Sequence, residues 1–173
     1  YTIHLRKDVK WHDGQAFTAD DVLFTISSIK TEALRSPLYQ SYQDVKVEKL
    51  DDATIRFTLP KPFAPFIDAL TIGIVPRHAW ADVPLESYSL SQLNLKPVGT
   101  GAWKFKSFQK DGDGSLRSYT LERNESYLGR KPFIDELVFK FYPDIDSAIQ
   151  GLKNRTVDGV SFLPRSLRDR LVQ

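Results

Sequence analysis

The spacing of hydrophobic and polar positions divides the first part of the chain into a strand, a turn and a helix. Apolar and polar side chains alternate over residues 1–11, which predicts a half-buried strand. Asp13-Gly14 is typical of a turn. From Thr18 onward the apolar residues recur at helical spacing, and Asp21 follows three residues later, so the pattern predicts a helix that begins with a capping box. Asp20 adds a second anion at the positive end of the helix dipole.

A β-hairpin is predicted next. Residues 44–50 and 54–59 each alternate in hydrophobicity, and Asp51-Asp52-Ala53 joins them. Closely spaced prolines then interrupt regular structure. Short helices are predicted further on, from Phe66, after Pro76 and over 85–93.

The run from Pro97 to Gly101, PVGTG, is rich in structure-breaking residues, and we place a domain boundary there, between 1–96 and 97–173. Beyond it the pattern predicts the order β-β-β-α-β-α, which together with the first half indicates a mixed α+β chain of the α/β class. The third strand, 136–142, is apolar on both faces and so predicts a central strand of a covered sheet. The remaining strands are predicted over 102–108, 118–124 and 157–162, with helices over 144–153 and from Pro164.

Composition narrows the possible functions. Lys and Arg total 24 against 22 for Asp and Glu, so the charge balance does not indicate a nucleic-acid-binding protein. Cysteine is absent, which excludes disulfides, thiol catalysis and cysteine-ligated zinc. No apolar run approaches the ~18 residues typical of a membrane span. The chain starts within a strand pattern and without methionine, so we expect a processed chain or a piece of a longer one.

The acidic residues near the start of the chain are the main candidates for catalysis. Asp13, Asp20 and Asp21 could form a carboxylate cluster for acid–base chemistry, or they could serve only to turn the chain and begin a helix. The three histidines lack metal-ligand spacing, and no serine lies in a GxSxG motif. We therefore expect no metal and no cofactor.

Two tyrosines in a predicted loop are candidates for ligand contact. Tyr39 and Tyr42 flank polar residues within 36–43. Exposed aromatic side chains on loops can form one wall of a binding site, although local packing explains the same pattern equally well.

Four stretches, in order, resemble one family. YTIHLRKDVKWHDGQAFTADDVLFTI resembles the strand, HDG turn and T-A-x-D-V helix of the bacterial extracellular solute-binding proteins of family 5. LDDATIRFTLPKPFAPF resembles the next hairpin of that family, and PVGTGAWKFKSF its GTGPYKF strand, with Ala102-Trp103 in place of Pro-Tyr. LERNESYLGRKPFIDELVFKFYPD and the following helix resemble its N-x-x-Y-x-G-x-P-x-x-D and G-x-x-D stretches, with Arg155 where glycine is usual.

The resemblance implies a fold like that of type II periplasmic binding proteins, present in part. Residues 1–96 correspond to a smaller outer lobe and 97–173 to the central part of the first ligand-binding lobe, without the opposing lobe. Members of the family close two lobes around a ligand by hinge motion, so this chain should carry one wall of the cleft.

The resemblance also implies which residues contact the ligand. The loop matching SPLYQSY supplies a tyrosine in oligopeptide-binding members, which points first to Tyr39. The strand end matching VSFLP lines the cleft, and the loop after the third strand of the second half lies nearby. The implied ligand-binding residues are Tyr39, Tyr42, Asp146, Ser161 and Phe162.

The implied function is that of the substrate-binding component of an ABC importer, without catalysis. Such a protein acts outside the cytoplasmic membrane, free in a periplasm or lipid-anchored, as a monomer with permease subunits as partners and no nucleic acid. A peptide is the leading ligand, with an oligosaccharide or a nickel chelate as alternatives. Two other functions stay open: a carboxylate-dependent hydrolase using Asp13, Asp20 and Asp21, and a non-catalytic structural interaction domain.

Overall fold

A computed structural model describes residues 1–161, 164 and 167 of the 173-residue chain. It contains two three-stranded sheets and several short helices, which confirms the mixed α/β class. The strands are β1 (Thr2–His4), β2 (Lys46–Asp51), β3 (Thr54–Thr58), β4 (Trp103–Lys110), β5 (Leu116–Arg123) and β6 (Glu136–Lys140). The α-helices are α1 (Ala19–Ile29), α2 (Tyr39–Tyr42), α3 (Phe66–Ala69), α4 (Arg77–Trp80) and α5 (Ile145–Lys153). Short 3₁₀ helices cover Glu32–Leu34, Leu85–Leu90 and Gln92–Asn94.

The chain divides into two compact units. The first comprises Tyr1–Phe105 and Arg123–Phe133, and the second comprises Lys106–Glu122 and the described residues from Ile134 onward. The division of the chain into family lobes at residues 96 and 97 stays a prediction.

The first unit contains the predicted hairpin. β2 and β3 are antiparallel, with Val47 opposite Phe57. β3 also pairs antiparallel with β1 and is therefore the central strand of the order β1-β3-β2. The side chains of Ile55 and Phe57 on β3 are buried, whereas Arg56 between them is exposed. This alternation confirms the strand pattern predicted over 54–59.

Helix α1 provides most of the remaining core of the first unit. Val22, Ile26 and Ile29 recur at helical spacing and are buried in one hydrophobic cluster with the inward side chains of β3. Each such side chain contributes about 1.5–3 kcal/mol relative to leaving it exposed. The helix begins at Ala19, directly after Thr18, as predicted.

The buried carboxylate of Asp21 connects three parts of the first unit. Its Oδ2 accepts hydrogen bonds from Trp11 Nε1 at 3.3 Å and from the Thr18 backbone N–H at 2.9 Å. Its Oδ1 accepts a hydrogen bond from the backbone N–H of Arg77, the first residue of α4, at 2.8 Å. The Thr18 bond is the carboxylate half of the predicted capping box. Only 4% of Asp21 is exposed, and the three donors compensate for the hydration that its charge loses.

The strand predicted over residues 1–11 is shorter in the structure. β1 ends at His4, and the chain turns at Lys7-Asp8. Residues 9–17 form a separate small hairpin with a bridge between Lys10 and Ala16. Lys7 occupies an inward position of the alternating pattern, and burying its ammonium group against the sheet would be costly. The strand stops before this interruption.

The other sheet has the order β4-β5-β6. β5 and β6 are antiparallel, with Thr120 opposite Val138 and Leu121 opposite Leu137. β6 is an outer strand, and Val138 and Phe139 are 46% and 47% exposed. The prediction of a covered central strand is therefore wrong for the described chain. Apolar residues on both faces indicate burial, but no described strand pairs with the outer edge of β6.

Helix α5 begins where the sequence predicts, because Asp144 Oδ1 accepts a hydrogen bond from the Ser147 N–H at 2.7 Å. The strand predicted over 157–162 is not formed at 157–161, and Phe162 lies outside the described residues. The helix predicted from Pro164 lies almost wholly outside them as well.

The C-terminus of α5 has the hydrogen bonds of a Schellman motif. The Arg155 N–H donates to the Leu152 carbonyl at 3.0 Å, and the Thr156 N–H donates to the Gly151 carbonyl at 2.9 Å. Arg155 has a φ of 57°, in the left-handed region that favours glycine. Arg155 is also the position at which the family resemblance leads us to expect glycine.

We predict that Asp21→Asn lowers the free energy of unfolding by about 1–3 kcal/mol, because an amide cannot accept from all three donors and leaves at least one unpaired. Urea denaturation of the protein that carries this chain measures the change. Asp20→Asn is the matched control, since Asp20 forms a partly exposed ion pair with Lys49 at 2.8 Å. The control should lose less than about 1 kcal/mol. Equal losses in the two variants would contradict the role of Asp21.

We predict that Arg155→Gly stabilises the protein by about 1 kcal/mol, because glycine adopts the left-handed conformation without a Cβ clash. Arg155→Ala should bring no comparable gain, since alanine keeps the Cβ. Thermal unfolding of the two variants tests this. A stabilisation by alanine as large as that by glycine would show that removal of the arginine side chain, and not relief of backbone strain, is responsible.

Candidate functional site

The acidic residues of WHDGQAFTADDV have separate partners in the structure. Asp13 Oδ2 lies 2.7 Å from His78 Nε2, and Asp13 Oδ1 accepts a hydrogen bond from the Gln15 N–H at 3.1 Å. Burial acts to raise the pKa of Asp13, but the hydrogen bonds from His78 and Gln15 outweigh it and hold the pKa below its usual value. Asp20 pairs with Lys49 at 2.8 Å.

These contacts give each carboxylate a structural role. Asp21 is occupied by the three N–H donors described above, Asp13 fixes a turn, and Asp20 lies in the first turn of α1. None of the three has another carboxylate among its hydrogen-bond partners in the described chain. Turn formation, helix capping and ion pairing therefore account for these three carboxylates without acid–base chemistry.

His12 forms a clamp on the PVGTG segment that sequence reasoning missed. Its backbone N–H donates to the Gly99 carbonyl at 2.8 Å, and its Nδ1 accepts from the Gly99 N–H at 3.1 Å. Its Nε2 lies 3.1 Å from the Gly101 carbonyl oxygen, which also accepts from Asn124 Nδ2 at 2.9 Å. The clamp therefore joins the HDG turn, the GTG segment and the Asn of the N-x-x-Y stretch. These three motifs all belong to the family resemblance, and this was the only sign in the sequence that they contact one another.

Glycine at position 99 allows this close approach. A Cβ on Gly99 would lie 3.2 Å from Cε1 of His12, closer than an ordinary van der Waals contact. The imidazole therefore lies directly against the backbone of the segment that leads into β4.

The two candidate tyrosines are the first and last residues of α2, where the sequence predicts a loop. The Tyr39 hydroxyl donates to Glu32 Oε1 at 3.0 Å, and this bond raises the pKa of Tyr39. Tyr42 is fully buried, and its hydroxyl donates to the Ala69 carbonyl. Burial raises the pKa of Tyr42. Tyr39 thus remains half-buried at the surface, whereas Tyr42 is part of the core.

A cavity of about 680 Å³ opens beside this segment in the first unit. Tyr42 lines it, together with residues of α1, of the stretch 68–75 and the aromatic side chains of Trp80 and Tyr88. Its volume lies within the range of small-molecule sites. Sequence analysis did not predict this cavity, because its walls come from segments far apart along the chain.

The other candidates belong to the second unit. Asp146 is exposed in the first turn of α5, and Ser161 is exposed near the end of the described chain. Phe162 lies outside the described residues. The five predicted residues are therefore divided between the two compact units and the part of the chain that is not described.

The described residues contain neither a candidate metal site nor a helix suited to cross a membrane. No group of three or more His, Asp or Glu side chains within 1–161 is arranged to hold a metal ion. No helix in that part of the chain combines the length and apolar character needed to cross a membrane.

Comparison with known proteins extends these observations to nearly the whole chain. The family model for "Bacterial extracellular solute-binding proteins, family 5 Middle" matches residues 1–172. The dipeptide-binding protein of Escherichia coli (strain K12) is 32% identical over 164 residues, which cover 83% of this chain and 30% of that protein.

Solved structures agree with the sequence match. The ABC transporter substrate-binding protein CtaP from Listeria monocytogenes superposes with a TM-score of 0.86 and 33% identity, over 99% of this chain and 35% of CtaP. NikZ from Campylobacter jejuni, in complex with Ni(L-His), gives a TM-score of 0.79 and 37% identity, over 91% of this chain and 30% of NikZ. The chain spans about a third of the length of these relatives. By the family match and by these similarities, the chain belongs to the bacterial extracellular solute-binding proteins of family 5.

Proposed function

We propose that this chain is part of the substrate-binding component of an ABC importer. The component captures a peptide or a similar small solute outside the cytoplasmic membrane, free in a periplasm or lipid-anchored, and delivers it to the permease subunits as a monomer. The match of the family model to residues 1–172 is the observation that carries this proposal. The names of the relatives, a dipeptide-binding protein and an ABC transporter substrate-binding protein, support it.

In this role, residues 1–96 form a smaller outer lobe and residues 97–173 form the central part of one ligand-binding lobe. Tyr39 is the leading ligand-contacting residue, because its ring and hydroxyl remain at the surface while Glu32 orients the hydroxyl. Tyr42 is the weaker of the two, because its hydroxyl is already bonded to a backbone carbonyl. Asp146, Ser161 and Phe162 complete the proposed set.

A peptide is the leading ligand. Peptide backbones offer regularly spaced donors and acceptors, and water-filled pockets can accept many side chains at little cost. A nickel chelate is the second candidate, favoured by the 37% identity to NikZ, whose structure contains Ni(L-His). In that complex nickel is held by histidine, so the corresponding candidate ligand is a nickel–histidine chelate.

The ligand class can be tested by a thermal-shift screen of the full-length protein against peptides, oligosaccharides and nickel–histidine. A ligand present at about 100 times its dissociation constant should stabilise the folded protein by about 2.7 kcal/mol. We expect a peptide to produce the largest rise in melting temperature. A rise with nickel–histidine alone would show that the ligand is a chelate and not a peptide. No rise with any ligand class would contradict the binding-protein proposal.

Replacing each tyrosine by phenylalanine should distinguish a role in ligand binding from a role in stability. Tyr39→Phe should weaken binding of the ligand found in that screen by about 2- to 10-fold, the equivalent of one hydrogen bond, with little change in stability. Tyr42→Phe should instead lower the free energy of unfolding by about 1 kcal/mol, because the partly buried Ala69 carbonyl loses its donor. Titration calorimetry and urea denaturation measure the two effects. Unchanged affinity in Tyr39→Phe would remove Tyr39 from the site.

A further inference from the structure

We propose that His12 is a pH-sensitive latch, which holds the Gly99 backbone at the entry to β4 only while its imidazole ring is neutral. The proposal concerns the stability of this segment and does not depend on which solute the protein binds. It rests on the pattern of donors and acceptors around the ring.

The partners of His12 dictate its protonation state. Nδ1 faces the Gly99 N–H at 3.1 Å, which can only donate, so Nδ1 must carry a lone pair. Nε2 faces the Gly101 carbonyl oxygen at 3.1 Å, which can only accept, so Nε2 must carry the hydrogen. The neutral tautomer with hydrogen on Nε2 is the form that satisfies both contacts. The third bond, from the His12 N–H to the Gly99 carbonyl, closes a two-way pairing of these residues.

Protonation of the ring breaks one contact and spares the other. A hydrogen on Nδ1 would point at the Gly99 N–H, donor against donor, and that amide would lose its acceptor. The Gly101 carbonyl would keep its bond to Nε2 and its bond from Asn124 Nδ2. The opening caused by acid is therefore expected at Gly99, while Gly101 stays attached.

The surroundings also disfavour the charged ring. Burial is the largest influence and lowers the pKa of His12 below its ordinary value, the Gly101 carbonyl opposes this, and the charge of Lys104 on β4 adds to the lowering. The carboxylate of Asp13 favours the charged ring, although Asp13 is itself hydrogen-bonded to His78 on α4. The net lowering of the pKa of His12 and the hydrogen-bond pattern both favour the neutral ring.

Because the pKa of His12 is lowered in the folded protein, acid weakens the contact between His12 and Gly99. A histidine whose pKa is lower in the folded protein binds more protons when unfolded, so acid favours opening. The stabilisation is fully present above the pKa of an unfolded histidine, about 6.5. It decreases as the pH falls toward the lower pKa of the folded state.

The test follows exchange of the Gly99 amide in the full-length protein by hydrogen–deuterium exchange and mass spectrometry, normalised to the intrinsic rate at each pH. Between about pH 8 and about pH 4.5 we expect protection at Gly99 to fall on the order of tenfold, the effect of losing one hydrogen bond. His12→Gln is the decisive variant, because its amide can accept from Gly99 and donate to Gly101 without titrating. This variant should lose the pH dependence.

His4→Gln is the matched control, since His4 is an exposed histidine whose Nδ1 lies 3.3 Å from Thr54 Oγ1. It should keep the pH dependence of the unsubstituted protein. If acid lowers the protection of the Gly99 amide in His12→Gln as much as in the unsubstituted protein, the proposal is overturned. Exchange of the histidine C2 hydrogen gives the pKa of His12 in the unsubstituted protein, so the idea stays testable if a variant fails to fold. A pKa at or above the ordinary value would also overturn it.

Discussion

The first unit depends on a negative charge that has been removed from water. Asp21 is almost fully buried, and an isolated carboxylate in that environment would be strongly unfavourable. Three N–H groups, from the side chain of Trp11 and the backbones of Thr18 and Arg77, surround it instead. Since each donor belongs to a different segment, the charge can be accommodated only when the hairpin over 9–17, the start of α1 and the start of α4 are in place together. One residue thus couples local helix capping to tertiary structure.

Features that depend on near neighbours could be predicted from the sequence. The start of α1 at Thr18, the hairpin of β2 and β3 and the start of α5 at Asp144 all follow from capping residues and periodicity within a few positions. The early strand was overestimated because alternation alone does not show where a chain leaves its partner. β6 was predicted at the right residues but in the wrong position of its sheet. Apolar residues on both faces indicate a central strand, whereas β6 lies at an edge of the described sheet.

The contacts that define the candidate sites join distant positions and could not be read from local patterns. His12 contacts Gly101, 89 residues away, and Asp13 contacts His78, 65 residues away. The cavity beside Tyr42 is lined by segments from α1 to Asn94. Resemblance to a family supplied candidates such as Tyr39 without showing their geometry. The structure adds that the hydroxyl of Tyr39 is oriented by Glu32 and that the hydroxyl of Tyr42 is already used.

The motifs that identify the family are, in this chain, parts of its framework. The HDG turn supplies His12 to the GTG segment and Asp13 to α4, and the T-A-x-D-V stretch supplies the buried Asp21. Each of these residues needs a particular donor or acceptor at a fixed place, so few substitutions preserve the contacts. A surface residue such as Tyr39 meets looser demands, because water can replace a lost partner. A stretch that resembles an active site by its acids and imidazoles can therefore be informative about family while its polar groups are occupied with holding the protein together.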